Sequence, residues 1–229
     1  MQDVKAPKKI IGKRRALTNL EKAAFNEATN VFNAWEKAFV SICLYTGMRR
    51  NEILALTKND IDFENKVIHV NKTIVCDENH KPTLKQGTKT DAGTRDIPIV
   101  DKLRNVLKEY MSQNCKDSNS LLFPTRSGGL YSSGAFEYRW KSILKKVNQF
   151  MPENIQTTVT PHYLRHNFAT ELFYAGVDLK AVQYIMGHSN LNITLQIYTD
   201  LKMDTASVAD KLNAYIKKNC QSKISQNKI

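Results

Sequence analysis

The chain has 229 residues, with 34 Lys and Arg against 22 Asp and Glu, a formal net charge of +12 and a sequence pI near 9.5. This length supports a core without covalent staples, and no apolar run reaches the roughly 18 residues that a membrane span requires. The scattered cysteines Cys43, Cys76, Cys115 and Cys220 form no CxxC pair and follow no signal peptide, which points to a reduced, cytoplasmic setting.

Excess positive charge directs attention to a polyanionic partner, above all nucleic acid. Residues 1–15, MQDVKAPKKIIGKRR, carry Lys5, Lys8, Lys9, Lys13, Arg14 and Arg15 with little apolar periodicity. They read as a basic linker or arm, either a strap along phosphates or a solvated tail. Helical patterns follow over 20–28 and 33–45, the second closed by Gly47 as its C-cap. A short helix is predicted over RRNEILAL, starting near Arg49.

Composition changes after Asn65. KVIHVNKTIV, PTLKQGTK and TRDIPIV read as three strands, and KTDAG as a hairpin tip turning at Asp91, Ala92 and Gly93. Helical periodicity then returns. DKLRNVLKEYM aligns Leu103, Val106, Leu107 and Tyr110, and FEYRWKSILKKV aligns Phe136, Trp140, Ile143, Leu144 and Val147. Further helices are predicted over 162–174, 178–186, 191–200 and 207–218, with Gly176 and Gly187 after the first two. The expected fold is α+β and mostly helical: one domain over 16–202 with a small three-stranded antiparallel sheet, then a tail over 203–229 containing an amphipathic helix.

The stretch TPHYLRHNF, residues 160–168, is the chemically unusual one. Thr160 and Pro161 mark a helix start, as N-cap and first helical residue. His162 and Arg165 are then i, i+3 neighbours, and His162 and His166 are i, i+4 neighbours. A zinc reading of the histidine pair lacks a third ligand and an acid–base carboxylate, and it places Arg165 beside a dication. An anion reading uses every member: the helix N-terminus, the Arg165 fork and a His162 donor all suit phosphate oxygens. TGMRRNE puts Arg49 at the start of another helix. GHSNLNITLQIYT supplies His188 after Gly187 and then Tyr198. Cationic groups able to surround one phosphate are thus followed by a phenol able to attack it.

At these residues the chain resembles the catalytic domain of the tyrosine recombinases, the phage-integrase family. TGMRRNE, TKTDAG, HYLRH, MGHSN and IYTDL occur in the family's order, between about residues 15 and 200. The resemblance implies catalytic roles for Arg49, Lys89, His162, Arg165 and His188, with Tyr198 as nucleophile and Glu52 orienting its neighbours. Lys81 and Lys85 lie in the same hairpin region, and the TKT before the Asp-Ala-Gly turn selects Lys89.

The implied activity is site-specific DNA recombination or integration through a 3′-phosphotyrosyl intermediate, without metal, ATP or another cofactor. A tyrosine pKa near about 10 demands activation by surrounding cations. Lys89 would protonate the leaving 5′-hydroxyl, and either His162 or His188 would take the tyrosine proton. Implied partners are double-stranded attachment-site DNA, further copies of the chain in a homotetramer, and a directionality factor. The tail is expected to dock on a neighbouring subunit or on its own domain. Family members carry an N-terminal DNA-binding domain ahead of this region, so the resemblance implies a truncated chain with residues 1–15 as interdomain linker. A type IB topoisomerase-like nicking and closing enzyme and a non-catalytic DNA-binding relative are the alternatives.

Overall fold

Thr18 and Asn33 each accept the N–H of a glutamate three residues on, and those glutamates, Glu21 and Glu36, accept the cap residues' own N–H groups in return. These reciprocal boxes open α1 (Asn19–Ala28) and α2 (Ala34–Thr46). Both carboxylates are buried and paired, Glu21 with Arg15 and Glu36 with Lys146, each at 2.6 Å. The structure, a computed structural model, describes residues 15–87, 93–115 and 117–199, the last four by backbone alone. The arm up to residue 14, Lys89 with its turn, and the tail helix expected over 207–218 lie outside the described residues.

The chain continues through α3 (Arg50–Ala55), α4 (Asp101–Asn114), α5 (Ser133–Asn148), α6 (Pro161–Tyr174), α7 (Leu179–Met186) and α8 (Leu191–Thr199). Helix α2 lies at the centre, against α3, α4 and α6. Its Ala38, Phe39, Val40, Ile42 and Cys43 are all buried, the all-round apolar character of a helix enclosed by others. The predicted stripes face this core: Leu103, Leu107 and Tyr110 from α4, and Phe136, Trp140, Ile143 and Val147 from α5, are buried, with Val106 and Leu144 at its edge. Phe39 stacks on Trp35 with ring centroids 5.0 Å apart and meets Phe123 edge-on at 5.5 Å. No helix among the described residues is long and apolar enough to cross a membrane.

The strands differ from the sequence reading in partnership. Among the described residues there are five: β1 (Ile61–Asp62), β2 (Val67–Val70), β3 (Lys72–Cys76), β4 (Pro82–Gln86) and β5 (Arg95–Pro98). They form a three-stranded antiparallel sheet in the order β1-β2-β5 and a separate two-stranded hairpin of β3 and β4. The run KVIHVNKTIV is therefore two strands, and PTLKQ pairs only with its second half. Ile68, Val70 and Ile74 are buried in one phase along the run, and Lys72, partly buried in the same phase, pairs with Asp60 at 2.6 Å. The shared phase hides the change of partner, which falls at Asn71, whose carbonyl accepts the Gly87 N–H at 2.8 Å.

A second apolar cluster, Ala169, Val182 and Met186 with Phe168, Leu172 and Val177 around it, joins α6 to α7 apart from the main core. Gly47, the C-cap of α2, rests against it in the left-handed conformation at φ +60°. A Cβ there would lie 2.5 Å from Phe168 Cδ1 and 2.9 Å from Met186 Sδ. Gly47→Ala therefore meets both backbone strain and overpacking, and is expected to lower stability by about 2–4 kcal/mol, read as a shift in denaturant midpoint.

Candidate active site

Arg49 is the N-cap of α3, and Glu52 stands at the third position of that helix. The Arg49 N–H donates to Glu52 Oε2 and its Nη1 to Glu52 Oε1, both at 2.8 Å. Glu52 is 2% exposed. It also receives Arg95 from β5, Nη2 on Oε2 at 2.9 Å and Nη1 on Oε1 at 3.3 Å. Burial alone would raise the Glu52 pKa, but the hydrogen bonds and charge of Arg95, followed by the charge of Arg49 and its backbone N–H, outweigh it and hold the carboxyl below its ordinary value.

The same arginines converge on the C-terminus of α7. Arg95 Nε donates to Ile185 O at 2.7 Å, Arg165 Nη2 to Met186 O, and Arg49 Nη2 to Gly187 O at 2.8 Å. These carbonyls lie at the negative end of a helix, where cations are favoured. Gly187 turns the chain there at φ +61°, and a Cβ on it would meet Arg95 Nη1 at 2.8 Å. Arg165 is 4% exposed, and its Nη1 also donates to Gly47 O, at the end of α2. Burial, then the charges of Arg49 and Arg95 against the opposing Glu52, pulls its pKa down to about 9, which leaves it charged at pH 7.

Arg49, His162 and Arg165 line one open cavity of about 560 Å³, together with Asn51, Thr73 and Thr160. Thr160 is the N-cap of α6 and Pro161 the first helical residue, as expected, but the Thr160 side chain makes no capping hydrogen bond. The wall of the cavity thus includes an α6 entry without a side-chain cap. His188 follows Gly187, is 7% exposed, and its Nδ1 lies 2.9 Å from Thr194 Oγ1. Burial first, then the charges of Arg165, Arg49, Arg95 and His162, pushes His188 down to about 3, so this ring is neutral at pH 7.

The structure accordingly gathers Arg49, Glu52, His162, Arg165 and His188 at one place, and α8 carries position 198. Lys89 and the Tyr198 side chain lie outside the described residues. Arg165 is seated on two carbonyls through its terminal nitrogens, so its fork is oriented by protein before any ligand arrives. Among the described residues no group of three His, Cys, Asp or Glu side chains is placed to share a metal ion.

Arg95 is a member of the cluster that the sequence reading did not single out. Its side chain is fully buried. The available signal was phase: Arg95 is in phase with Ile97 on the inward face of β5 and with Ile99 just beyond it, where an arginine needs a buried anion.

The model of the phage integrase family matches residues 15–205. The chain belongs to that family. Among similar proteins, the transposase from transposon Tn916 of Enterococcus faecalis is 32% identical over 176 residues, covering 73% of this chain and 42% of the transposase. The tyrosine recombinase XerC of Bacillus subtilis is 30% identical over 176 residues, covering 74% of this chain and 50% of the recombinase. This phage integrase family chain therefore spans about half or less of the length of these relatives. Its fold is similar to that of the Tn1549 transposon integrase solved with a circular intermediate DNA, with a TM-score of 0.74 and 27% identity over 91% of this chain and 68% of that one.

Removing the charge of Glu52 leaves Arg95 buried without a counter-ion. Glu52→Gln is expected to cost about 3 kcal/mol or more at pH 7. Because the folded pKa of Glu52 lies below its ordinary value, its contribution is full above that ordinary value and is lost as pH falls through the folded pKa. Urea denaturation from pH 7 down to 3 should show the gap between wild type and variant closing towards the acid end.

Proposed function

We propose that this chain is the catalytic domain of a site-specific DNA recombinase, an integrase of a mobile element, that cuts and rejoins strands through a covalent tyrosyl intermediate. The observation that carries the reading is the convergence of Arg49, His162 and Arg165 on one open cavity, with the neutral His188 in their field. Such a pocket suits a single tetrahedral phosphate: fixed guanidiniums neutralise its non-bridging oxygens and stabilise the extra charge of a pentavalent transition state. The DNA complex of the similar transposon integrase supports duplex DNA as the substrate.

In the proposed reaction the Tyr198 oxygen attacks the phosphorus in line. The phosphorus–oxygen bond to the 5′ side breaks, and a 3′-phosphotyrosyl bond forms. Lys89 supplies the proton that the departing 5′-hydroxyl requires, and His162 or His188 accepts the phenol proton. Each bond broken is matched by one formed, so a second strand's 5′-hydroxyl reverses the step without ATP. The working unit on attachment-site DNA is a homotetramer, with residues 203–229 as subunit-docking element, residues 1–15 as linker and a directionality factor as accessory partner. The setting is the cytoplasm, where the DNA is.

The test is a pool of nicked duplexes of randomised sequence, in which release of a short strand traps the intermediate. The wild-type chain is expected to form a covalent adduct, unchanged in a chelator, whose sequenced DNA reports the preferred site. Tyr198→Phe should form none. Adduct formation by the phenylalanine variant at the wild-type rate, or its loss on chelation, overturns the reading.

A further inference from the structure

Among the described side chains of helix α8, which run from Leu191 to Leu195, the large apolar ones lie outward. Its Leu191, Ile193 and Leu195 are 36%, 44% and 38% exposed, whereas Thr194 is completely buried. The hydroxyl of Thr194 meets His188 Nδ1 at 2.9 Å, and the His188 ring is itself buried against the arginine cluster. The His188 main chain is fixed separately, by its N–H on Gln183 O and by Gln183 Nε2 on its carbonyl. The ring's remaining freedom is therefore rotation of the side chain, and the Thr194 hydroxyl removes it. Positions 194 and 198 are i, i+4 on α8 and share a helix face.

Resting on the strand-cleavage reading above, we propose that Thr194 is a positioning residue: its hydroxyl fixes the His188 ring and ties the helix carrying position 198 to the phosphate pocket. The bond to Nδ1 leaves Nε2, on the far side of the ring, for the reacting groups. Nε2 can take a proton only in the tautomer whose hydrogen is on Nδ1, so the Thr194 hydroxyl accepts that N–H both before and after the transfer, selecting the tautomer and fixing the ring. An apolar side chain of the same shape can do neither.

Two substitutions separate this role from simple packing. Thr194→Val keeps the branched shape and removes the hydroxyl; Thr194→Ser keeps the hydroxyl and removes the methyl group. With the randomised nicked-duplex pool as probe, the valine variant should form adduct roughly tenfold more slowly or worse, and the serine variant at close to the wild-type rate. In the DNA-free proteins, ¹⁵N spectra of labelled imidazoles should show the His188 nitrogen shifts altered by valine and retained by serine, with thermal melts confirming that both variants fold. Slower reaction of the serine variant, alone or equally with valine, assigns the position to packing and overturns the proposal. An unchanged valine variant beside an active wild type overturns it while leaving strand cleavage standing. If the wild type forms no adduct, strand cleavage falls, and the role of Thr194 falls with it.

Discussion

Three successive carbonyls at the end of α7, those of Ile185, Met186 and Gly187, each take a hydrogen bond from a different arginine. Two of those arginines also share the Glu52 carboxylate. The arginines come from α3, β5 and α6, far apart in the chain, so this junction is where separate elements of the fold are held to one another. It works because a helix C-terminus offers unsatisfied carbonyls in a field that favours cations. A left-handed glycine then turns the following chain away, leaving room for Arg95 against its Cα.

Three guanidiniums against one carboxylate make a cluster with excess positive charge, partly shielded from water. Like charges this close repel by an amount that grows as the local dielectric falls; burial first, and this repulsion after it, lowers the pKa of Arg165 and suppresses protonation of His188. The fold tolerates it through oriented carbonyls and Glu52 rather than through a matching number of acids. What remains is an electropositive cavity, arranged in advance, in which an anion would meet donors that need no rearrangement. Stability has been given up locally for a field of one sign, a trade common at catalytic sites.

Much of this was legible in the sequence because it depends on local rules. Gly47 and Gly187 are found as helix C-caps in the left-handed conformation, and Thr160 with Pro161 at the start of α6. The stripes on α4 and α5 are buried as their periodicity demanded. Arg49, His162, Arg165 and His188 were identifiable as ordered motifs, and they come together. The partnership of the strands was not legible, since the buried Ile68, Val70 and Ile74 keep one phase through Asn71 while the pairing changes there. Arg95 escaped attention because it stands in no motif, and its value depends on a carboxylate more than forty residues earlier, an encounter that only the tertiary structure creates. Thr194 was read merely as part of a helical run, because a hydrogen bond to a side chain six residues back leaves no periodic trace.

These two kinds of legibility correspond to two kinds of positioning. Assembling the cationic pocket is a tertiary problem: α3, β5 and α6 must each present an arginine to the same helix end, and an error in any packing interface displaces one of them. Bringing position 198 to that pocket is more nearly a local one. The carbonyls that seat the arginines, the left-handed Gly187, His188, Thr194 and the turn of α8 bearing position 198 follow one another along a single short segment. The segment that seats the cations therefore also carries position 198, and its register relative to the pocket is constrained by covalent geometry, by the packing of α8 on α6 and α7, and by the buried hydrogen bond between His188 and Thr194. Among the described side chains of α8, Thr194 is buried while Leu191, Ile193 and Leu195 are exposed. The apolar core secures the pocket; the polar contact at His188 secures what approaches it.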